Sequence, residues 1–106
     1  MFWEKDIETI DRDQLHKLQL ERLQTTVESA SRSSCYRKLF KEKGIFLGDI
    51  KTLDDLTKLP LTTKDDLRKE WPYGFLAVSK DEIVRMHSSS GTTGRATVIF
   101  HTRKDI

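Results

Sequence analysis

The sequence predicts an α/β fold in which several N-terminal helices are followed by a β-strand–loop–β-strand unit. Apolar residues recur at helical spacing over the first thirty residues, and two short segments in the middle begin with helix-capping residues. Two β-branched stretches near the end flank a loop rich in serine, threonine and glycine. We therefore divide the chain into a mainly helical region, residues 1–78, and a second region, residues 79–106.

The first long helix is predicted from Ile10 to about Arg32. Asp11 is placed to cap its N-terminus, with Gln14 three residues further on, as in a capping box. Leu20, Leu23 and Val27 then fall on one face, which indicates an amphipathic helix packed against a core.

A second, shorter helix is predicted from Ser33 or Ser34 to Lys43. Gly44 follows it, and the missing Cβ of glycine suits the left-handed conformation that often ends a helix. Cys35 lies in this helix and is expected to be half-buried rather than reactive. As the only cysteine, it leaves no internal disulfide and no cysteine-based zinc site.

The form T-x-D-D-L occurs twice, at residues 52–56 and 63–67. In each copy a threonine can cap a helix and an acid three residues later favours the helix N-terminus. Two short helices are therefore predicted. Pro60 and Pro72 end them, because the residue before proline is pushed out of the α region.

Two strands are predicted at residues 83–87 and 97–101, on either side of the loop. Beyond them, Thr102 and Asp105 repeat the cap spacing, so a further helix is expected to begin where the given sequence stops. A two-stranded hairpin alone is marginally stable in water. Both observations lead us to expect that this sequence is a truncated piece of a longer protein.

Composition excludes several classes of protein. Nineteen Lys and Arg against seventeen Asp and Glu give a net charge of +2 with the signs interspersed, which does not favour nucleic acid as a partner. The first residues do not show the basic segment followed by an apolar one that is typical of a signal peptide, and no apolar run is long enough to cross a membrane. A cytoplasmic protein without membrane association is therefore expected.

The loop, HSSSGTTGRAT at residues 87–97, has the ingredients of an anion site. Gly91 and Gly94 let the backbone turn its N–H groups to one side, while hydroxyl side chains donate hydrogen bonds. Arg95 adds a guanidinium that can bind phosphate oxygens in pairs. The two glycines are too close together for G-x-x-x-x-G-K-[ST]. Composition alone is equally compatible with an ordinary hairpin loop or linker.

In residue order, SSGTTGRAT resembles the phosphate-binding signature of the adenylate-forming superfamily, usually written S-S/G-G-T-T-G-K-P. The runs LHKLQLERL, CYRKLF, DIKTLDDLTKLPLTTKDDLRKEWPYG and RMHSSSGTTGRATVIFHTRKDI together resemble the N-terminal part of phenylacetate-CoA ligases, over essentially the whole chain. The sequence departs from the usual Lys-Pro with Arg95-Ala96. This change keeps a positive charge but removes the backbone constraint of proline.

The resemblance implies the opening part of the large domain of an adenylate-forming enzyme. Its reaction would join an aryl acid, with phenylacetate favoured, to coenzyme A through an acyl adenylate, using ATP and Mg²⁺. The phosphate-binding loop would span residues 88–97, and the residues implied for ATP phosphates are Ser89, Ser90, Gly91, Thr92, Thr93, Gly94 and Arg95. No catalytic residue and no metal ligand is assigned within this chain.

Other interpretations remain open at this stage. His87, at the end of a strand, is interpreted as structural rather than catalytic, and Phe46, Trp71, Tyr73 and Phe75 as core rather than acyl pocket. A homodimer is left open. Two alternative functions are a nucleotide-phosphate-binding domain without acyl transfer and a helical interaction module in which the serine- and threonine-rich loop is only a tail.

Overall fold

The computed structural model describes residues 1–89 and 96–106. Within them lie four α-helices, α1 Lys5–Glu8, α2 Arg12–Ala30, α3 Ser34–Lys43 and α4 Lys64–Lys69, and two strands, β1 Ile83–Ser88 and β2 Val98–Thr102. Short 3₁₀ turns occupy Leu47–Asp49, Leu53–Lys58, Lys80–Glu82 and Arg103–Asp105. The predicted order, helices followed by two strands, is confirmed. Helix α1 and the turns at Leu47–Asp49 and Lys80–Glu82 were not predicted.

The predicted caps of the two longer helices are present. The Asp11 side chain accepts the N–H of Gln14 at 2.9 Å, which begins α2. The Ser33 hydroxyl accepts the N–H of Tyr36 at 3.2 Å, which begins α3. Gly44 has φ 69°, in the left-handed region where glycine is strongly favoured, and α3 ends there.

The two T-x-D-D-L segments use their acids alike but form different helices. The Asp66 carboxylate accepts the N–H of Thr63 at 2.8 Å and begins α4. The Asp55 carboxylate accepts the N–H of Thr52 at 2.9 Å, but the segment that follows is a 3₁₀ helix. The cap therefore fixes where each helix begins, whereas the type of helix is set elsewhere. The same bond between Thr102 and Asp105 begins the final 3₁₀ turn.

The hydrophobic core lies between α2, α3 and the segment that follows α3. Val27, Phe40 and Ile50 are buried, and Leu20, Leu23, Tyr36, Ile45 and Leu59 pack around them. The apolar face predicted for α2 is thus the face that meets the core. Tyr36 extends the cluster through ring contacts with Phe40, at 5.6 Å between centroids, and with Phe75, at 5.3 Å.

Cys35 corrects one expectation, because it is buried, at 3% exposed, rather than half-buried. Its backbone N–H donates to the carbonyl of Gly74 at 2.9 Å, so the chain beyond α4 covers the first turn of α3. This contact joins residues nearly forty positions apart, and helical periodicity within α3 does not predict it. Burial raises the pKa of the Cys35 thiol, and the nearby Glu70 carboxylate raises it further.

Strands β1 and β2 pair antiparallel, with Met86 opposite Phe100 and Ser88 opposite Val98. Their observed bounds are one residue later than predicted at the end of β1 and at both ends of β2. Tyr73 stacks on Phe100 with 5.4 Å between ring centroids. The hairpin is thereby attached to the segment that follows α4. The predicted division at residue 79 stays a prediction.

Candidate functional site

The predicted phosphate-binding segment starts where β1 ends and finishes where β2 begins. Of its seven predicted ligands, the structure describes Ser89. The other six, Ser90, Gly91, Thr92, Thr93, Gly94 and Arg95, lie outside the described residues. The described part of the site therefore consists of the two positions where the chain leaves the hairpin and returns to it, Ser89 and Thr97.

Ser89 and Thr97 are joined by both backbone and side-chain hydrogen bonds. The backbone N–H of Ser89 donates to the carbonyl of Thr97 at 3.0 Å. In the opposite direction, the N–H of Thr97 donates to the Ser89 hydroxyl at 3.4 Å, and the two hydroxyls are hydrogen-bonded to each other. The pair extends the hairpin by one position beyond the last ladder pair, Ser88 and Val98. Ser89 uses its side chain where a regular ladder would use its carbonyl.

The two residues differ sharply in exposure. Thr97 is 7% exposed, whereas Ser89 is exposed to solvent. A buried polar side chain is costly unless it is hydrogen-bonded, and Ser89 supplies that partner for Thr97. In the sequence Thr97 begins the predicted second strand and is one of several hydroxyl residues of the run HSSSGTTGRAT. Its pairing with Ser89 depends on strand register, which neither composition nor spacing supplies.

Histidine side chains line the hairpin beside this pair. The rings of His87 and His101 meet edge to face with centroids 5.0 Å apart, and Arg85 is the cross-strand partner of His101. Within residues 1–89 and 96–106, no group of three or more His, Cys, Asp or Glu side chains is arranged to hold a metal ion. His87 thus makes a ring contact with His101, and the structural role predicted for His87 stays a prediction.

A wide groove of about 990 Å³ runs along the other face of the hairpin, between β2 and the middle of the chain. Its walls include Val84, Val98 and Phe100 from the strands, Phe75 after α4, and Thr26 from α2. Val98 directly follows Thr97, so one end of the groove begins beside the candidate site. Phe75, interpreted from the sequence as core, both contacts Tyr36 and lines this groove. The same interpretation is wrong for Phe46, Trp71 and Tyr73, which are exposed.

Among the described residues no helix has the length and apolar character needed to span a membrane. No protein-family model matches the chain.

Curated relatives do match it. The chain is 48% identical over 101 residues to a phenylacetate-coenzyme A ligase of Aromatoleum evansii, in an alignment that covers 94% of this chain and 23% of the relative. It is 46% identical over 101 residues to the enzyme of the same name in Pseudomonas putida, with the same coverage. It is 40% identical over 107 residues to that of Thermus thermophilus, covering 100% of this chain and 24% of the relative. The chain is thus homologous over nearly its whole length to one part of the phenylacetate-CoA ligases, and it spans about a quarter of their length.

Solved structures of a CoA ligase also match the chain. A 2-hydroxyisobutyryl-CoA ligase in complex with 2-HIB-AMP and CoA, in the thioesterification state, superposes with a TM-score of 0.88 at 32% identity. The match covers 98% of this chain and 23% of that one. An open conformation of the same ligase, in complex with 2-HIB-AMP and CoA, matches 85% of this chain with a TM-score of 0.73. The predicted fold class, the N-terminal region of an adenylate-forming CoA ligase, is confirmed.

Proposed function

We propose that this chain is part of an enzyme that joins a carboxylic acid, phenylacetate in the first instance, to coenzyme A in an ATP-dependent, AMP-forming reaction. In the first half-reaction the carboxylate attacks the α-phosphorus of ATP, which gives an acyl adenylate and releases pyrophosphate. In the second, the thiol of coenzyme A displaces AMP and leaves a thioester. Adenylation is needed because a carboxylate is a poor electrophile without a good leaving group.

One observation carries the proposal: the 48% identity to a phenylacetate-coenzyme A ligase extends over 101 residues. Further support comes from the structural match to a ligase described with an acyl adenylate and CoA. The fold adds a physical argument, since an antiparallel hairpin presents the loop between its strands. A hairpin of this kind fixes both ends of a loop, which suits a segment that must hold a multiply charged ligand.

We assign the ATP phosphates to Ser89, Ser90, Gly91, Thr92, Thr93, Gly94 and Arg95. Glycine permits a close approach of backbone N–H groups, and hydroxyl groups donate hydrogen bonds to phosphate oxygens. A guanidinium neutralises charge that develops on the pyrophosphate leaving group. These contacts contribute mainly positioning and electrostatic stabilisation, which is the larger part of what a protein supplies to such a step.

Mg²⁺ is expected to accompany ATP. The described part of the chain lacks a cluster of metal-ligating side chains. We therefore assign Mg²⁺ no ligand in these residues and no step. Coenzyme A is likewise assigned no contact here.

The test is ATP–pyrophosphate exchange, measured on the full-length protein that carries this segment. Exchange that depends on phenylacetate, followed by thioester formation when CoA is added, is the expected result. Exchange at background with phenylacetate and with a panel of other aryl and alkyl acids would refute the proposal. ATP binding without exchange would instead favour a phosphate-binding domain that performs no acyl transfer.

Substitution of the loop tests the site separately. Gly91→Val is expected to weaken ATP use with little effect on solubility, because the added side chain crowds backbone that phosphate must approach. An unchanged KM for ATP and an unchanged turnover would contradict the assignment. The expected cytoplasmic location and the homodimer stay predictions.

A further inference from the structure

Ser89 and Thr97 differ in exposure and in the hydrogen bonds they make, and this difference bears on where the proton of the Ser89 hydroxyl points. The backbone N–H of Thr97 donates to the Ser89 hydroxyl, and the two hydroxyls are hydrogen-bonded to each other, yet Thr97 is itself 7% exposed. Ser89 is exposed and lies at the start of the segment assigned to phosphate. Of the two hydroxyls, that of Ser89 is therefore the one open to a ligand from solvent.

The hydrogen-bonding capacity of a hydroxyl limits how this pair can be arranged. A serine hydroxyl has one proton to donate and two lone pairs to accept with. One lone pair of Ser89 takes the N–H of Thr97, at 3.4 Å. Either hydroxyl can donate in the bond between the two side chains. If Ser89 donated to Thr97, it would have no proton left for any other acceptor.

A phosphate oxygen accepts hydrogen bonds and donates none, so a phosphate ligand selects between these two arrangements. Only donation from Thr97 to Ser89 leaves the Ser89 proton free to point outward. In that arrangement both lone pairs of the Ser89 hydroxyl accept hydrogen bonds from Thr97, and the Ser89 proton is free to be donated to another acceptor. Bonds received by a hydroxyl also polarise it, which strengthens the bond it donates.

We propose that Thr97 is a positioning residue that sets the direction of the Ser89 hydroxyl proton, so that Ser89 donates to a phosphate oxygen of ATP. The inference rests on the proposed function, and it adds a residue that has no contact with the ligand. Thr97 holds the Ser89 oxygen through two donated bonds and turns its proton away from the hairpin.

Two substitutions of Thr97 distinguish this positioning role from a purely structural one. The backbone bond from Ser89 to the Thr97 carbonyl, at 3.0 Å, joins the strands whatever side chain stands at 97. Valine has the shape of threonine and suits a buried position, so Thr97→Val removes the hydroxyl with little change in volume. Thr97→Ser is the matched control, since it keeps the hydroxyl and removes only a methyl group.

The experiment uses the full-length protein and four variants: Thr97→Val, Thr97→Ser, Ser89→Ala and the double variant of Ser89→Ala with Thr97→Val. The Kd for ATP is measured by calorimetry without the acid, alongside the KM for ATP and kcat in ATP–pyrophosphate exchange. Thr97→Val is expected to raise Kd and KM by about 3- to 10-fold, the loss of roughly one hydrogen bond, with a smaller change in kcat. Thr97→Ser is expected to stay within about twofold of wild type.

The double variant carries the decisive comparison. Because Thr97 acts through Ser89, removing its hydroxyl in the Ser89→Ala background is expected to add nothing further. Amide hydrogen exchange without nucleotide checks the geometry directly: Ser89→Ala is expected to speed exchange at the Thr97 amide, which loses its acceptor.

The results that would overturn the role of Thr97 differ from those that would overturn the proposed ligase function. Wild-type affinity for ATP in Thr97→Val, or independent effects of the two single substitutions, would overturn the inference while exchange activity kept the proposed function. ATP binding without exchange would overturn the proposed function and leave the binding comparison between variants intact. A wild-type protein that bound no ATP would overturn both.

Discussion

Replacing Gly74 by alanine is expected to destabilise the fold by about 2–3 kcal/mol, at a position with no part in the candidate site. Gly74 lies where the chain returns after α4 and passes the first turn of α3. Its N–H donates to the carbonyl of Glu70 at 2.8 Å, and its carbonyl accepts the N–H of Cys35 at 2.9 Å. These two bonds hold Gly74 between helices.

The magnitude follows from the space available. A Cβ on Gly74 would lie 2.3 Å from the Cβ of Glu70 and 2.7 Å from its carbonyl oxygen. Carbon atoms that are not bonded normally stay about 3.5–4.0 Å apart, so the overlap exceeds about 1 Å. Neither atom is the far end of a flexible side chain, hence backbone must move. Such overpacking typically costs about 1–3 kcal/mol, and the movement also strains the bond to Cys35.

Urea unfolding of the purified chain, followed by circular dichroism, measures this loss. Gly48→Ala is the matched control, because a Cβ there meets nothing within 4 Å. We expect Gly48→Ala to change the free energy of unfolding by less than about 0.5 kcal/mol. Equal stability of the two variants would refute the packing assigned to Gly74. A large loss in both would show that the effect belongs to glycine replacement in general.

Three further predictions test separate parts of the molecule. Hydrogen bonds from Lys58 and from the backbone of Lys51 and Thr52 hold the pKa of Asp55 well below its usual range. The charged Asp55 carboxylate therefore stabilises the fold fully above about pH 4, its usual pKa in an unfolded chain. This stabilisation is lost as the pH falls toward the lower pKa that Asp55 has in the folded chain. Unfolding free energies of Asp55→Asn should therefore depend less steeply on acid pH than those of wild type, and equal slopes would count against the cap. Burial raises the pKa of the Cys35 thiol and shields it from reagents. An aromatic disulfide reagent at pH 8 should therefore react at least about tenfold more slowly with Cys35 in the folded chain than in denaturant. Equal rates would contradict the burial of Cys35. Arg95→Ala in the full-length protein should raise the KM for ATP by about tenfold or more, whereas Arg95→Lys should recover most of the loss, and an unchanged KM in Arg95→Ala would remove that residue from the phosphate site.

The features predicted correctly from the sequence are those whose physical cause lies within a few residues. Asp11 and Ser33 cap helices by bonds that span three residues, and Gly44 ends α3 through its own backbone angle. The apolar face of α2 follows from helical spacing alone. In each case the partner atoms belong to one turn, so the order of residues is sufficient to place them.

Features that depend on distant parts of the chain were missed or only partly anticipated. Cys35 is buried because Gly74 crosses it, and no local pattern contains that contact. The role of Thr97 depends on Ser89 being brought opposite it by strand register, although both residues were visible in one short run. Register depends on the whole hairpin. Strand register decides whether a hydroxyl of this serine- and threonine-rich segment faces a ligand or the opposite strand, and the sequence does not predict that register.

The small core of the chain is accompanied by a large exposed surface. The chain exposes 8534 Å², whereas a compact monomer of 12.4 kDa exposes about 6,100 Å². Its radius of gyration is 16.3 Å, against about 13 Å for a compact domain of this length. Part of the excess lies on the hairpin, where Val84, Met86 and Ile99 are all more than half exposed. Since β1 and β2 pair only with each other among the described residues, the sheet that presents the candidate site contributes little to burial.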